Sequence, residues 1–208
     1  MMKLHHRSDL HIARKVWHLT MGCAIAIVYS LGMSRSGAVM LLGFVLAFDL
    51  FVETIRLKVP QVNEKVIKFW GPLMRRCEQD RLTGAPYYLA ASILAIGIFP
   101  RPIAVLSILY LACGDPIASL FGVLYGDKGP RFTNGKSWIG TGAGMLTCMM
   151  VTWFYGQNLG WSVPTLIAMT IIGGIAGGSA ELLPLDVDDN FSIPIVSGFA
   201  LWLAVILI

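Results

Sequence analysis

Charge is scarce in this sequence. Of its 208 residues, 13% are Asp, Glu, Lys or Arg and 56% are hydrophobic, and the mean hydropathy is +0.69. A domain bathed in water carries about 25% charged residues. The deficit excludes a soluble surface for the whole chain and makes lipid the solvent for much of it. Cysteine and histidine are sparse too. Cys23, Cys77, Cys113 and Cys148 form no CxxC pair, and no histidine stands near them at ligand spacing. Zinc and haem therefore find no support, and a disulfide framework is not expected. Nor is a cleavable leader expected: the first sixteen residues are polar and basic, and the first apolar run leads straight into others. The length suits one catalytic domain over 1–208 with no separate soluble domain.

What the sequence does have is apolar runs of spanning length. A membrane helix needs about 20 apolar residues. Candidate spans fall at 17–33, 36–55, 84–99, 102–125, 138–156, 164–183 and 193–208. The expected fold is all-α, a polytopic membrane bundle of about seven transmembrane helices. Pro100-Arg101-Pro102 separates the third span from the fourth, and an acidic hairpin, Leu185-Asp186-Val187-Asp188-Asp189-Asn190, separates the last two. Basic residues set the orientation. Four lie in the N-terminal segment (Lys3, Arg7, Arg14, Lys15), seven in 56–83 and three in 127–137 (Lys128, Arg131, Lys136), while the opposite side receives only Arg35 and Arg101. This places the N-terminus in the cytoplasm and accounts for the net charge of +4 without a nucleic-acid partner. Within 56–83, Val62, Val66, Phe69, Trp70 and Leu73 recur at helical spacing among basic residues, as in a helix lying in the membrane interface; a solvated connector is the alternative. Glycine pairs four apart, such as Gly122 and Gly126 or Gly140 and Gly144, let helices approach closely.

Ionisable residues inside a membrane are costly, so each is a candidate site residue. Arg14, Lys15 and His18 open the first span, with Arg14 and His18 on one helix face. They suit a phosphate or lipid headgroup, or plain interfacial anchoring. Asp49, Glu53 and Arg56 share a face of the second span, where they could bind metal or substrate or form an internal ion pair. Gly114-Asp115-Pro116 reads as a helix that breaks and restarts, with Asp115 as the cap and proline at the first helical position. Ser119, Gly122 and Gly126 continue a small, polar face on which Asp115 could hold Mg²⁺. Asn134-Gly135-Lys136-Ser137 is not a Walker A loop, because Pro130 stands where that motif needs glycine and no strand precedes it. It can still bind phosphate at a helix start, which Gly140, Thr141, Gly142 and Gly144 keep slim. Glu181 ends the sixth span, and Asp188-Asp189-Asn190 precedes Ile193-Pro194 as a site for a hard cation. All these groups fall at the cytoplasmic ends of their spans. Bases, acids and glycine-rich helix starts on one face are the parts of phosphoryl transfer, in which the protein positions reactants and neutralises charge.

The ordered motifs resemble those of the dolichol kinase, phytol kinase and CTP-dependent diacylglycerol kinase family, related to phosphatidate cytidylyltransferases. The resemblance runs through Arg14-Lys15-x-x-His18, Leu82-Thr83-Gly84-Ala85-Pro86-Tyr87-Tyr88 and Gly114-Asp115-Pro116-Ile117-Ala118-Ser119 with Gly122 and Gly126. It continues in Gly135-Lys136-Ser137-Trp138-Ile139-Gly140-Thr141 and from Glu181 to Pro194. It implies a minimal, prokaryotic-type enzyme of the inner (plasma) membrane, with its active site facing the cytoplasm. Such an enzyme would transfer phosphate from CTP, with Mg²⁺, to the hydroxyl of a polyprenol, a phytol-like alcohol or diacylglycerol. In this reading Asp115, Asp188 and Asp189 hold the metal. Arg14, Lys15, Gly114, Ser119, Gly122, Gly135, Lys136, Ser137 and Asn190 bind nucleotide and phosphate, and His18 or Glu181 handles the alcohol. Asp49, Glu53 and Arg56 are possible additions. The alternatives are a cytidylyltransferase acting on a lipid phosphate and a non-catalytic lipid-phosphate carrier or flippase. One departure stands out: the family's Lys-Ser-x-Glu-Gly-Ser reads here with Ile139 for the acid and Thr141 for the final serine.

Overall fold

A computed structural model describes residues 10–183 and 187–207. Lys3, Arg7, Leu185 and Asp186, counted above, lie outside the described residues. Nine α-helices are described: α1 (Ile12–Ser30), α2 (Arg35–Lys58), α3 (Pro60–Trp70), α4 (Gly84–Ile98), α5 (Arg101–Leu109), α6 (Asp115–Tyr125), α7 (Trp138–Asn158), α8 (Val163–Ser179) and α9 (Asp189–Leu207). A π-helical turn, Tyr110–Gly114, joins α5 to α6. No strand is present among the described residues. Each apolar run of the sequence coincides with one helix, except that 102–125 covers α5, the π turn and α6 together. Among the described residues, four helical stretches are long and apolar enough to cross a membrane: Arg35–Lys58, Arg101–Lys128, Val163–Leu182 and Asp189–Leu207; Gly84–Ile98 is a shorter apolar helix. With phenylalanines such as Phe44, Phe48 and Phe51 exposed along α2, the chain is that of a membrane protein.

The most buried element is α5 with its π turn. Ile103 through Leu106, Ile108, Tyr110 and Leu111 are 0–2% exposed, surrounded by α1, α4, α7 and α9. α2 lies at the periphery against α4, and α8 packs between α7 and α9. Small residues bring α6 and α7 close: a Cβ added to Gly140 would lie 2.6 Å from the Ala118 carbonyl oxygen. On α1, a Cβ at Gly22 would collide with the Tyr88 hydroxyl and with Ala112, so the crossing of α1 over the π turn requires glycine there.

The expected break at Asp115 is not found. Gly114 and Asp115 keep right-handed helical backbone, and Asp115 begins the helix without capping it. Pro116 explains the π turn: proline has no N–H, and its ring crowds the preceding turn. Widening the helix relieves this, and the Asp115 N–H reaches back to the Tyr110 carbonyl. In the same register Pro116 should serve the Leu111 carbonyl and cannot. His18 serves it instead, with Nε2 3.1 Å from that oxygen.

The connector between α2 and α4 is partly helical, as its spacing indicated, and no residue of α3 is buried. Beyond α3 the chain folds back as a loop, 71–83, held by a buried arginine. Arg56 is 1% exposed. Its Nε and Nη2 donate to Glu53 at 2.8 and 2.7 Å, Nη1 to Asn63 and the Gln79 carbonyl, and Nη2 to the Arg81 carbonyl at 2.6 Å. The Thr83 N–H and hydroxyl both donate to Glu53. At the other end of the bundle, Arg35 donates to the Phe99 carbonyl and Arg101 to the Met33 carbonyl. Each end thus satisfies its own loop carbonyls with arginine.

Candidate active site

The sequence-distant polar motifs meet in one cleft of about 520 Å³ at the end of the bundle where α1, α4, α7 and α9 begin. Of the residues singled out above, Arg14, Lys15, His18, Asp115, Ser119, Gly122, Gly135, Lys136, Ser137, Glu181 and Asp189 line it. Several others do not. Gly114 faces α7, where a Cβ would meet the Cys148 sulfur. Asp188 caps α9, its Oδ1 accepting the Asn190 N–H at 2.9 Å. Asn190 is buried, its Nδ2 3.4 Å from the Gly84 carbonyl oxygen, and ties the start of α9 to that of α4. The Asp49–Glu53–Arg56 face lies outside the cleft. There Glu53 and Arg56 fasten the 71–83 loop, and Asp49 Oδ2 has no partner among the described residues.

Lys136 is presented by a short hairpin. The Phe132 N–H donates to the Lys136 carbonyl at 2.8 Å, and Gly135 turns the corner with φ of +83°, a left-handed conformation suited to glycine. Ser137 then caps α7 by accepting the Gly140 N–H at 2.9 Å. The Lys136 ammonium donates to Glu181 at 2.6 Å and to Asp189 at 2.9 Å, and the Thr141 hydroxyl donates to the other Glu181 oxygen at 3.2 Å. Burial alone would lower the lysine pKa; Glu181, Asp189 and Asp115 more than offset it, so Lys136 titrates above the usual lysine range and stays cationic at any physiological pH.

Asp115 stands apart from that cluster. Among the described residues the basic group that reaches it is His18, whose Nε2 lies 3.9 Å away, and it makes no side-chain hydrogen bond. His18 is buried, packed edge-on against Tyr88 with ring centroids 4.7 Å apart. Because the Leu111 carbonyl only accepts, Nε2 carries the proton, and Nδ1 is the one nitrogen of the neutral ring able to accept another. Arg14 is already engaged: its Nη1 donates to both Glu78 oxygens, at 2.9 and 2.7 Å, and to the Leu73 carbonyl.

The cleft also contains residues that motif reading did not single out for chemistry: His11, Arg75, Asp127 and Arg131. Arg131 pairs with Asp127 at 2.7 Å. Asn134 donates to the Glu181 carbonyl and accepts the Lys136 N–H, so its role is to orient the hairpin. The surplus of basic residues in 56–83 was the available signal for Arg75, but it served to read topology.

No group of three or more His, Cys, Asp or Glu among the described residues could by itself hold a metal, so Asp115, Asp188 and Asp189 do not form a ready-made cage. The donors do fit a Mg²⁺ ion. That ion takes one or two carboxylates and completes its shell with water and phosphate oxygens, and Asp115 offers an unengaged carboxylate in the cleft.

Comparison with known proteins points the same way. The chain is 28% identical over 204 residues to the CTP-dependent diacylglycerol kinase 1 of Schizosaccharomyces pombe, covering 92% of each chain. It is 26% identical to the enzyme of that name from Saccharomyces cerevisiae, covering 89% of this chain and 70% of that one. The chain is a relative of lipid-alcohol kinases. This is the family that its motifs resemble, and those relatives are transferases. A probable chloroplast phytol kinase of Oryza sativa is 28% identical over 137 residues, 60% of this chain and 43% of that protein. No protein-family model matches the chain, and no solved structure matches it.

Proposed function

We propose that this protein is a CTP-dependent kinase that phosphorylates the hydroxyl of a membrane lipid alcohol at the cytoplasmic face of the plasma membrane. The observation that carries the reading is the cleft itself, where Asp115 stands unengaged beside a cationic lysine and a hydrogen-bonded histidine. Relatives named as diacylglycerol and phytol kinases support the donor and the class of acceptor. The crossing helices in this reading are α1, α2, α4, α5 with α6, α7, α8 and α9, seven in all, with the N-terminus in the cytoplasm. The concentration of basic groups at the cleft end of the bundle supports that side.

Each residue then has a task. Asp115 would hold Mg²⁺, which when bound would supply positive charge to offset that of the transferred phosphate. Lys136, kept protonated by Glu181 and Asp189, presents its ammonium to the same phosphates. Lys15 adds positive charge from α1. His18, fixed by the Leu111 carbonyl, has Nδ1 to receive the proton of the lipid hydroxyl as that oxygen bonds to the γ-phosphorus and the bond from that phosphorus to the β–γ bridging oxygen breaks, releasing CDP. The small α6 face of Ser119 and Gly122 leaves room for reactants in the cleft.

The test uses purified protein, γ-labelled CTP and detergent-dispersed polyprenol, phytol or diacylglycerol. Label entering lipid is expected, and chelation with EDTA should abolish it until Mg²⁺ is returned. Labelled pyrophosphate released in the presence of a lipid phosphate would instead establish a cytidylyltransferase and overturn the kinase reading.

A further inference from the structure

Positive charge in the cleft is committed almost everywhere to a protein partner. Arg14 holds Glu78, Arg131 holds Asp127, and Lys136 holds Glu181 and Asp189. The Lys15 ammonium donates to the Leu10 carbonyl at 2.6 Å. Arg75 differs. Its guanidinium makes no hydrogen bond or ion pair among the described residues, although it is half-buried and lines the cleft. Its positive charge acts on both Lys15 and His18.

The base of this side chain, by contrast, is firmly held. The Arg75 N–H donates at 2.7 Å to Glu78 Oε2, the carboxylate that Arg14 grips. The loop that carries both is fastened at Gln79 and Arg81 by buried Arg56. A main chain anchored at two points therefore delivers an unengaged five-donor fork to a cleft where other cations gather. Crowding like charges is unfavourable in the empty protein and becomes favourable when a polyanion occupies the space. A planar guanidinium matches paired phosphate oxygens better than any other side chain does.

We propose that Arg75 grips the polyphosphate of the nucleotide, so that the 71–83 loop forms a working part of the site rather than a connector. This rests on the kinase reading for the identity of the nucleotide but not for the phosphate chemistry. The same fork could meet the phosphate of a lipid headgroup. The cleft of about 520 Å³ that Arg75 shares with Lys15, Lys136 and the unengaged Asp115 is larger than one phosphomonoester needs and favours the polyphosphate.

Calorimetry on the purified full chain in detergent tests this with three probes: CTP, inorganic tripolyphosphate and phosphatidic acid. Arg75→Ala should weaken CTP and tripolyphosphate about tenfold or more, the loss expected for a charged hydrogen-bonded contact, and leave phosphatidic acid unchanged. In turnover, the KM for CTP should rise by a similar factor with the KM for the lipid alcohol unmoved. Arg75→Lys should recover part of the loss, having charge without the fork. An Arg75→Ala protein that binds both polyphosphates as the parent does, or loses only phosphatidic acid, overturns the proposal while the kinase reading stands. Arg75-dependent binding of tripolyphosphate with no transfer of label to any lipid alcohol overturns the kinase reading and leaves the polyphosphate site in place.

Discussion

Two clusters of buried opposite charge stand at the cleft end of the bundle, assembled from the same kinds of residue. In one, Arg56 meets Glu53; in the other, Lys136 meets Glu181 and Asp189. In the sequence they looked alike, acids and a base near the end of a span. They differ in how completely they are filled. A guanidinium has five N–H donors, and Arg56 makes five hydrogen bonds, to Glu53 twice, Asn63, Gln79 and Arg81. Its side chain is 0% exposed. An ammonium has three donors, of which Lys136 uses two while 30% of its side chain remains exposed at the cleft. A saturated, sealed pair fastens chain to chain. A pair with a spare donor, reachable by solvent and beside an unengaged carboxylate, can meet a substrate.

The sharpest way to break this comparison is at the unengaged carboxylate. Asp115→Asn keeps the shape and removes the charge, and turnover should fall on the order of a thousandfold or more, as when a preorganised charge-stabilising group is lost. Because Asp115 makes no side-chain hydrogen bond, the melting temperature in detergent should hardly move. Near-normal turnover would remove Asp115 from the metal site.

The paired substitutions Lys136→Met and Arg56→Met test the two clusters directly. Lys136→Met should cut kcat about a hundredfold while the protein still folds. Arg56→Met leaves Glu53 buried without its partner and frees the carbonyls of the 71–83 loop, a loss of about 3–5 kcal/mol. It should appear as a lowered melting temperature and a smaller folded yield. If instead Arg56→Met melts normally and lacks turnover, the distinction between fastening and site collapses.

A smaller effect is expected at the π turn. Pro116→Ala returns an N–H to the backbone, which can then serve the Leu111 carbonyl that His18 now serves. His18 would lose its anchor, and turnover should fall about tenfold, the cost of one hydrogen bond that orients a group. KM for CTP should change less than kcat, because Lys15, Lys136 and Arg75 keep their places on other elements. A drop in nucleotide affinity would show that the π turn shapes the phosphate site instead of the histidine.

The helices themselves were largely legible in the sequence, because hydropathy over some 20 residues reports the solvent a segment needs, and the turns at Pro100 and Gly135 carry their own punctuation. The π turn was not, since a cap at Asp115 and a widened helix around Pro116 answer the same missing N–H. Only the arrival of His18 from α1 separates them. Within Asp188-Asp189-Asn190 the three side chains take three directions set by the first turn of α9, so one reaches Lys136, one caps the helix and one meets Gly84. Adjacent acids give no hint of that division. Arg75 was masked by the six other basic residues of 56–83, and only the folding of the loop onto Glu78 distinguishes it.

The least effect is expected where the chain departs most visibly from its family. Ile139 occupies the position of an acid in the lysine-serine motif, which invites the idea that a metal ligand has been lost. Residues 137, 140 and 141 of this stretch face the cleft, whereas Ile139 does not line it; a Cβ added at Gly129 would touch its side chain at 3.3 Å. The acid that the cleft does use at this point is Glu181, held from α7 by Thr141, the second departing residue. Ile139→Glu should therefore change kcat and the Mg²⁺ requirement less than about threefold, the range of a surface substitution away from the site. Thr141→Val, which frees one Glu181 oxygen, should cost more than Ile139→Glu. The reverse order, with Ile139→Glu raising turnover severalfold at low Mg²⁺, would place a metal ligand at residue 139 and move the acidic side of the site to the Gly129 loop.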